Sequence, residues 1–123
     1  MNKLRVIDLE QLPWQPHPTI GTITTRVVET AATHPQADVL VASVAPGGAI
    51  PWHVHEHSTE TVYVIQGTAM IRYAETAAGL EDATSSDLKA GCVVTIPMGW
   101  WHTVPNTGDV PFIAFAFHAP PTF

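Results

Sequence analysis

Apolar and polar residues in this chain alternate with a short period. From Thr19 to Thr30 the run TIGTITTRVVET sets Ile23, Val27 and Val28 among threonines, and such β-branched composition predicts a strand. A turn follows at Thr33 to Ala37 around Pro35. Asp38 to Ala45, DVLVASVA, is then almost continuously apolar until Pro46, Gly47 and Gly48 end it, the pattern of a strand buried on both sides. TVYVIQG (Thr61 to Gly67) and AMIRYAE (Ala69 to Glu75) flank a tight Gly67-Thr68 turn and read as a hairpin. Thr76 to Asp87 is small, polar and acidic, a surface loop or weak edge hairpin. CVVTI (Cys92 to Ile96) breaks at Pro97 and Gly99, a turn falls at Pro105 to Gly108, and VPFIAFAFH (Val110 to His118) is an apolar strand with alternating aromatics. Strands recurring about every 8 to 12 residues, with no sustained helical period, indicate an all-β sandwich or barrel.

The N-terminus differs. Arg5 to Leu9 alternates as a short strand would, whereas Pro13 to Pro18, PWQPHP, cannot continue a ladder because proline removes donors and fixes φ. The expected organisation is an N-terminal strand and Pro-rich arm over 1–18, a candidate for pairing with a neighbouring subunit, followed by one domain over 19–123.

Composition narrows the function classes. With 123 residues there is room for one core. Five Lys and Arg against eleven Asp and Glu leave a net charge of −6 and no basic stripe for a phosphate backbone, which excludes nucleic acid as a partner. No apolar run approaches the roughly 18 residues of a membrane span, and MNKLRVIDLEQL lacks the apolar core of a secretory signal, so a cytoplasmic protein is expected. Only 13% of residues are charged and 46% are apolar, which points to a surface partly covered by a second copy, a homodimer. The single cysteine, Cys92, excludes an internal disulfide and reads as a small buried hydrophobe.

Candidate chemistry gathers in Gly47 to Gly67, GGAIPWHVHEHSTETVYVIQG. Side chains two apart on a strand share a face, so His53 and His55 project together about 7 Å apart. Glu60 lies five residues on, far enough for a turn and the start of a second strand. Imidazole and carboxylate together suit one divalent transition ion, Fe, Mn, Ni, Cu or Zn. An isolated His-x-His pair is more often the wet face of a polar hairpin. His102 changes the balance, because it too opens a strand after a Pro-x-Gly turn.

Taken together, these residues resemble the cupins, small double-stranded β-helix or jelly-roll proteins with two glycine-bounded motifs. Gly47, His53, His55, Glu60 and Gly67 match the first motif, G-x5-H-x-H-x4-E-x6-G; Gly91, Pro97, Gly99, His102 and Asn106 match the second, G-x5-P-x-G-x2-H-x3-N. The resemblance implies a jelly-roll barrel whose interior holds one metal ion on His53, His55, Glu60 and His102. It does not select a reaction, because this fold carries many. A metal-dependent small-molecule oxidoreductase of dioxygenase type leads. The alternatives are a non-oxidative lyase or isomerase and a non-catalytic ligand-binding module.

Other residues are assigned more coarsely. His57, Tyr63 and His118 are the candidate catalytic groups, each a possible general base. Trp52 and Trp101 adjoin ligands and are expected to point away from the ion, whereas Trp100 and Met98, an even number of residues from His102, are candidate pocket walls. Arg26 and Arg72 are the possible carboxylate clamps on central strands. Gly67 and Gly99 are expected at positive φ, and Asn106 is expected to be a turn former bonding nearby backbone.

Overall fold

The short-period pattern resolves into ten strands in a computed structural model that describes residues 4–17, 19–21 and 23–123. They are β1 (Gln15–Pro16), β2 (Thr24–Glu29), β3 (Asp38–Val44), β4 (Ala49–Val54), β5 (Thr59–Gln66), β6 (Thr68–Ala74), β7 (Thr84–Lys89), β8 (Val93–Ile96), β9 (Trp101–Pro105) and β10 (Phe112–Ala119). One sheet has the order β1-β2-β3-β10-β5-β8 and the other β4-β9-β6-β7, all neighbours antiparallel. This is the expected all-β jelly roll.

Strand parity decides what faces inward. On β10 the even positions Phe112, Ala114, Ala116 and His118 are buried, while the odd ones look outward. On β5 the inward set is Glu60, Val62 and Val64, and on β3 it is Asp38, Leu40, Ala42 and Val44. Val39 and Val41 on the other side of β3 are buried as well, so that strand is covered on both faces as its composition predicts. Alanines at 42, 114 and 116 fill little of the interior, and a cavity of about 340 Å³ opens between the sheets.

Turns hold the two sheets in register. Gly67 has φ 87°, and a Cβ there would meet the carbonyl oxygen of Pro111 at 2.9 Å, so glycine is required twice over. Gly99 has φ 86°, and its N–H donates to the carbonyl of His55 at 2.9 Å, tying the second Pro-x-Gly turn to the first histidine pair. Asn106 is buried and donates to the carbonyls of Val44 and Val110, both at 2.9 Å, while its Oδ1 accepts from Gly108 N–H at 2.8 Å. It bonds nearby backbone as expected, and stitches β3 in addition. Cys92 packs half-buried against the core. The acidic stretch after Glu75 forms a short 3₁₀ turn, Ala77–Asp82, and the edge strand β7.

Two N-terminal expectations are corrected. No strand forms at Arg5 to Leu9; Asp8 instead accepts from Glu10 N–H at 3.0 Å and caps a 3₁₀ turn at Leu9–Gln11. The Pro-rich arm does enter a ladder, pairing Gln15 with Thr25 and Pro16 with Thr24, at the sheet edge where a proline lacking its N–H is tolerated. Arg26 fixes it there, donating to the Leu12 carbonyl at 2.9 Å with its guanidinium 4.3 Å from the Trp14 ring centroid, and Arg5 pairs with Glu29 at 2.7 Å. The arm is therefore held by its own chain. Met1 to Lys3, Pro18 and Thr22, parts of the expected arm and first barrel strand, lie outside the described residues.

Candidate metal centre

The site is built from both sheets. On the four-stranded one, His53 of β4 lies opposite His102 of β9, their ring centroids 4.1 Å apart. Between the Ile50–Val104 and His53–His102 pairs β4 carries an extra residue, a bulge that brings both Ile50 and His53 to the cavity despite their odd spacing. His55 follows just past the end of β4. The six-stranded sheet supplies Glu60 from β5. Donor atoms of His53, His55, Glu60 and His102 all lie within 4.8 Å of one another, so this group can hold a metal ion.

Backbone contacts choose the tautomers. Nδ1 of His53 lies 2.8 Å from the Pro51 carbonyl and Nδ1 of His102 lies 3.1 Å from the Trp100 carbonyl. A carbonyl only accepts, so Nδ1 carries the proton and Nε2 is left as the lone-pair donor. Nε2 of His102 is 3.2 Å, and that of His55 3.6 Å, from Oε1 of Glu60. For His102, whose Nε2 is thus an acceptor, a 3.2 Å approach to Oε1 is repulsive unless a cation, either a metal ion or a second ring proton, lies between them. The donor set thus fits a divalent ion.

Electrostatics favour the charge states a metal needs. Burial lowers the pKa of His53, with nearby His102 adding to the effect, and burial pushes His55 down to about 4, so both imidazoles are neutral near pH 7. Burial works in the other direction on Glu60. The close imidazoles of His102 and His118 outweigh it and hold the carboxyl well below the usual carboxylate range.

Behind Glu60 stands a residue pair that spacing alone does not reveal as a unit. His118 Nε2 is 2.9 Å from Glu60 Oε2, and its Nδ1 is 2.5 Å from Asp38 Oδ1. Burial would lower His118, but its bonds to Asp38 and Glu60 raise it to about 9, and the ring is a cation donating from both nitrogens. Asp38, despite full burial, is held below its ordinary value by the same bond and by Thr122. In the sequence Asp38 opens the apolar run of β3, and an acid at the head of such a run is the signal of its role.

The candidate catalytic groups separate. His118 faces the cavity, but with both nitrogens donating it has no lone pair and is not a base. Tyr63 is 48% exposed, since it sits on the opposite face of β5 from Glu60 and Val62. His57 is exposed in the turn before β5 and is likewise outside the cavity. Walls also differ from expectation. Trp52 and Trp101 do avoid the cavity, but so do Trp100, which packs 6.0 Å from Tyr73, and Met98, which is 51% exposed. Arg26 latches the arm and Arg72 lies over the Trp52 ring at 5.6 Å, so neither clamps a ligand. Among the described residues the cavity is walled by aliphatic side chains such as Leu40, Val62, Ile71, Leu88 and Val104, with no Lys or Arg. His17 from the arm and Phe123, rings 6.4 Å apart, complete it.

Comparison with known proteins agrees with this architecture. Residues 40–118 match the model of the cupin domain. Germin-like protein subfamily 2 member 1 of Arabidopsis thaliana is 43% identical over 67 residues, 54% of this chain and 29% of that protein. Auxin-binding protein ABP19b of Prunus persica is 33% identical over 97 residues, 75% of this chain and 45% of that one. The chain thus spans less than half the length of these two relatives. A crystal structure described as a predicted oxalate decarboxylase from Thermotoga maritima superposes with a TM-score of 0.79 at 19% identity, over 94% of this chain and 99% of the other, a likeness of fold.

Proposed function

The chain belongs to the cupin domain family, and from that premise we propose that it is a metal-dependent small-molecule oxidoreductase of dioxygenase type, acting on an apolar molecule with an oxygen-donor group. The reading rests on one juxtaposition: a three-imidazole, one-carboxylate cluster opens into a largely aliphatic cavity. His53, His55, Glu60 and His102 would hold the ion. A bound divalent transition ion supplies a Lewis-acidic, redox-active centre with a net charge of about +1 on these ligands. The chain's own groups do the rest. Leu40, Val62 and Ile71 accept the apolar body and exclude water; with no Lys or Arg on the described walls, the second charge of a phosphate or other dianion has no counter-charge beyond the ion.

A lyase or isomerase working by proton abstraction needs a base; His57 and Tyr63 lie outside the cavity, His118 donates from both nitrogens, and the Nδ1 of His17 is taken up by the N–H groups of Thr19 and Ile20, both at 3.0 Å, which favours chemistry at the ion. A second reading is a non-catalytic module that captures a small apolar carboxylate, and the similarity to a protein named auxin-binding supports it. The test compares aerobic and anaerobic incubations of the protein carrying its native metal with enols, catechols and flavonol-like compounds. Oxygen uptake matched to product supports the dioxygenase reading, and product under nitrogen defeats it. Tight binding without turnover would favour the module.

Homodimer formation belongs to the same proposal. Tyr63, Ile65, Val93 and Phe117 project from the outer face of the six-stranded sheet, all at least 39% exposed, an apolar surface suited to a second copy. Sedimentation at micromolar concentration should give twice the chain mass, and Tyr63→Glu should reduce it to one. Among the described residues no helix is long and apolar enough to cross a membrane.

A further inference from the structure

Asp38, His118 and Glu60 occupy directly opposed positions on three adjacent strands, β3, β10 and β5, and all three are buried. Their contacts are divided atom by atom. Asp38 Oδ1 takes the Nδ1–H of His118 at 2.5 Å, and His118 Nε2–H donates to Glu60 Oε2 at 2.9 Å. Only Oε1 of Glu60 faces the Nε2 atoms of His102 and His55. The second oxygen of Asp38 accepts from Thr122 N at 2.6 Å, Thr122 Oγ1 at 2.7 Å and Phe123 N at 3.3 Å, and both of those residues line the cavity.

We infer that Asp38 and His118 are positioning residues for Glu60, holding its Oε2 away from the ion so that the carboxylate coordinates through Oε1 alone. The inference rests on the metal reading above. A carboxylate tied in this way fills one coordination position in place of two and leaves one more for a substrate. Core stability does not call for such a row: three buried charged groups are commonly replaced by apolar residues of similar volume at no loss. Asp38 also does what His118 alone would not. An imidazole anchored only at Nε2 can swing about that bond, whereas one anchored at both nitrogens is fixed in plane and direction. Because the same carboxylate grips Thr122 and Phe123, the cavity wall and the ligand geometry share one anchor.

Metal-free wild type, Asp38→Asn and His118→Gln are titrated with Co(II) alone and followed by visible absorption, with circular dichroism and melting curves recorded in parallel. Wild type should take up one Co(II). Each variant should bind it about 10- to 100-fold more weakly and shift the d–d bands, since Oε2 of Glu60 loses its partner in His118→Gln and is held by an unbraced ring in Asp38→Asn. Folded variants with unchanged affinity and superposable spectra would overturn the inference while leaving the metal site standing. Should Asp38→Asn fail to fold, His118→Gln decides, because it leaves Asp38 bonded to Thr122 and Phe123. A wild type that takes up no Co(II) sinks the metal reading itself, a different result from either.

Discussion

On the four-stranded sheet, His53 and His102 satisfy their inner nitrogens locally, each on the carbonyl two residues before it. On the six-stranded sheet, Asp38, His118 and Glu60 satisfy one another across strands, Asp38 and His118 being 80 residues apart in sequence. The first arrangement leaves lone pairs facing the centre, so those rings are free to bind. The second uses up both nitrogens of its ring, so that its role is to support. Local satisfaction makes a ligand, and reciprocal satisfaction makes a brace.

Removing one member of the brace should have the largest effect on stability. Asp38→Ala leaves the buried His118 cation without one of its two acceptors and the part-buried backbone donors of Thr122 and Phe123 unpaired, and should cost about 3–5 kcal/mol in urea denaturation. A loss below about 1 kcal/mol, the ordinary worth of an exposed pair, would mean that the row carries no structural weight.

A ligand should behave in the opposite way. His102→Ala removes one neighbour of Glu60 but leaves that carboxylate its bond from His118, so the barrel should stay folded by circular dichroism. Divalent-ion affinity should fall by more than the 100-fold at the upper end for supporting residues, about 2.7 kcal/mol. Glu60→Ala should match it in metal content, measured by elemental analysis of protein purified without added metal. Unfolding of His102→Ala would erase the distinction between the two sheets.

The same contrast explains what the chain disclosed. His53, His55, Glu60 and His102 were legible because their placement depends on short-range rules, strand parity and glycine-bounded turns such as those at Gly67 and Gly99. The β10 pattern made His118 visible as an end-of-strand histidine but gave it the wrong task, because its partners are set by the pairing of β3, β10 and β5. Register between strands distant in sequence is not written in any one segment. The outward position of Tyr63 is itself legible in the chain, since it lies three residues from Glu60 on one strand and must face the other side. The arm resisted reading for a related reason: Arg26, placed on a strand as a clamp, spends its guanidinium on Leu12 and Trp14.

Acid and alkali should separate the two rows in the metal-free protein. His118 is raised from 6.5 to about 9, so the folded state holds its proton more tightly; that stabilisation is complete below about pH 6.5 and is lost as pH rises through about 9. His55 is lowered to about 4, so the unfolded chain takes up a proton at 6.5 that the folded one refuses, and stability falls as pH drops from 6.5 toward 4. Asp38 and Glu60 are depressed, and their contribution survives until pH falls through those lowered values. Urea midpoints at about pH 5, 6.5 and 9 should show His118→Gln losing the alkaline decline and His55→Gln losing part of the acid one. An alkaline decline that persists in His118→Gln would place its origin elsewhere.

The smallest effects belong to the residues that the fold turns outward. His57 lies in the turn that joins the two sheets' contributions, two residues beyond His55, and Tyr63 lies on the strand that carries Glu60, so proximity in sequence alone would assign both to the site. Strand geometry assigns them to solvent. His57→Ala and Tyr63→Phe should therefore leave Co(II) affinity within about twofold of wild type, a difference of about 0.4 kcal/mol, and leave the absorption bands in place. A shift in the bands with His57→Ala would show that the turn after β4 folds inward when an ion binds, adding a third alternate histidine to the pair and moving the boundary between ligand and support.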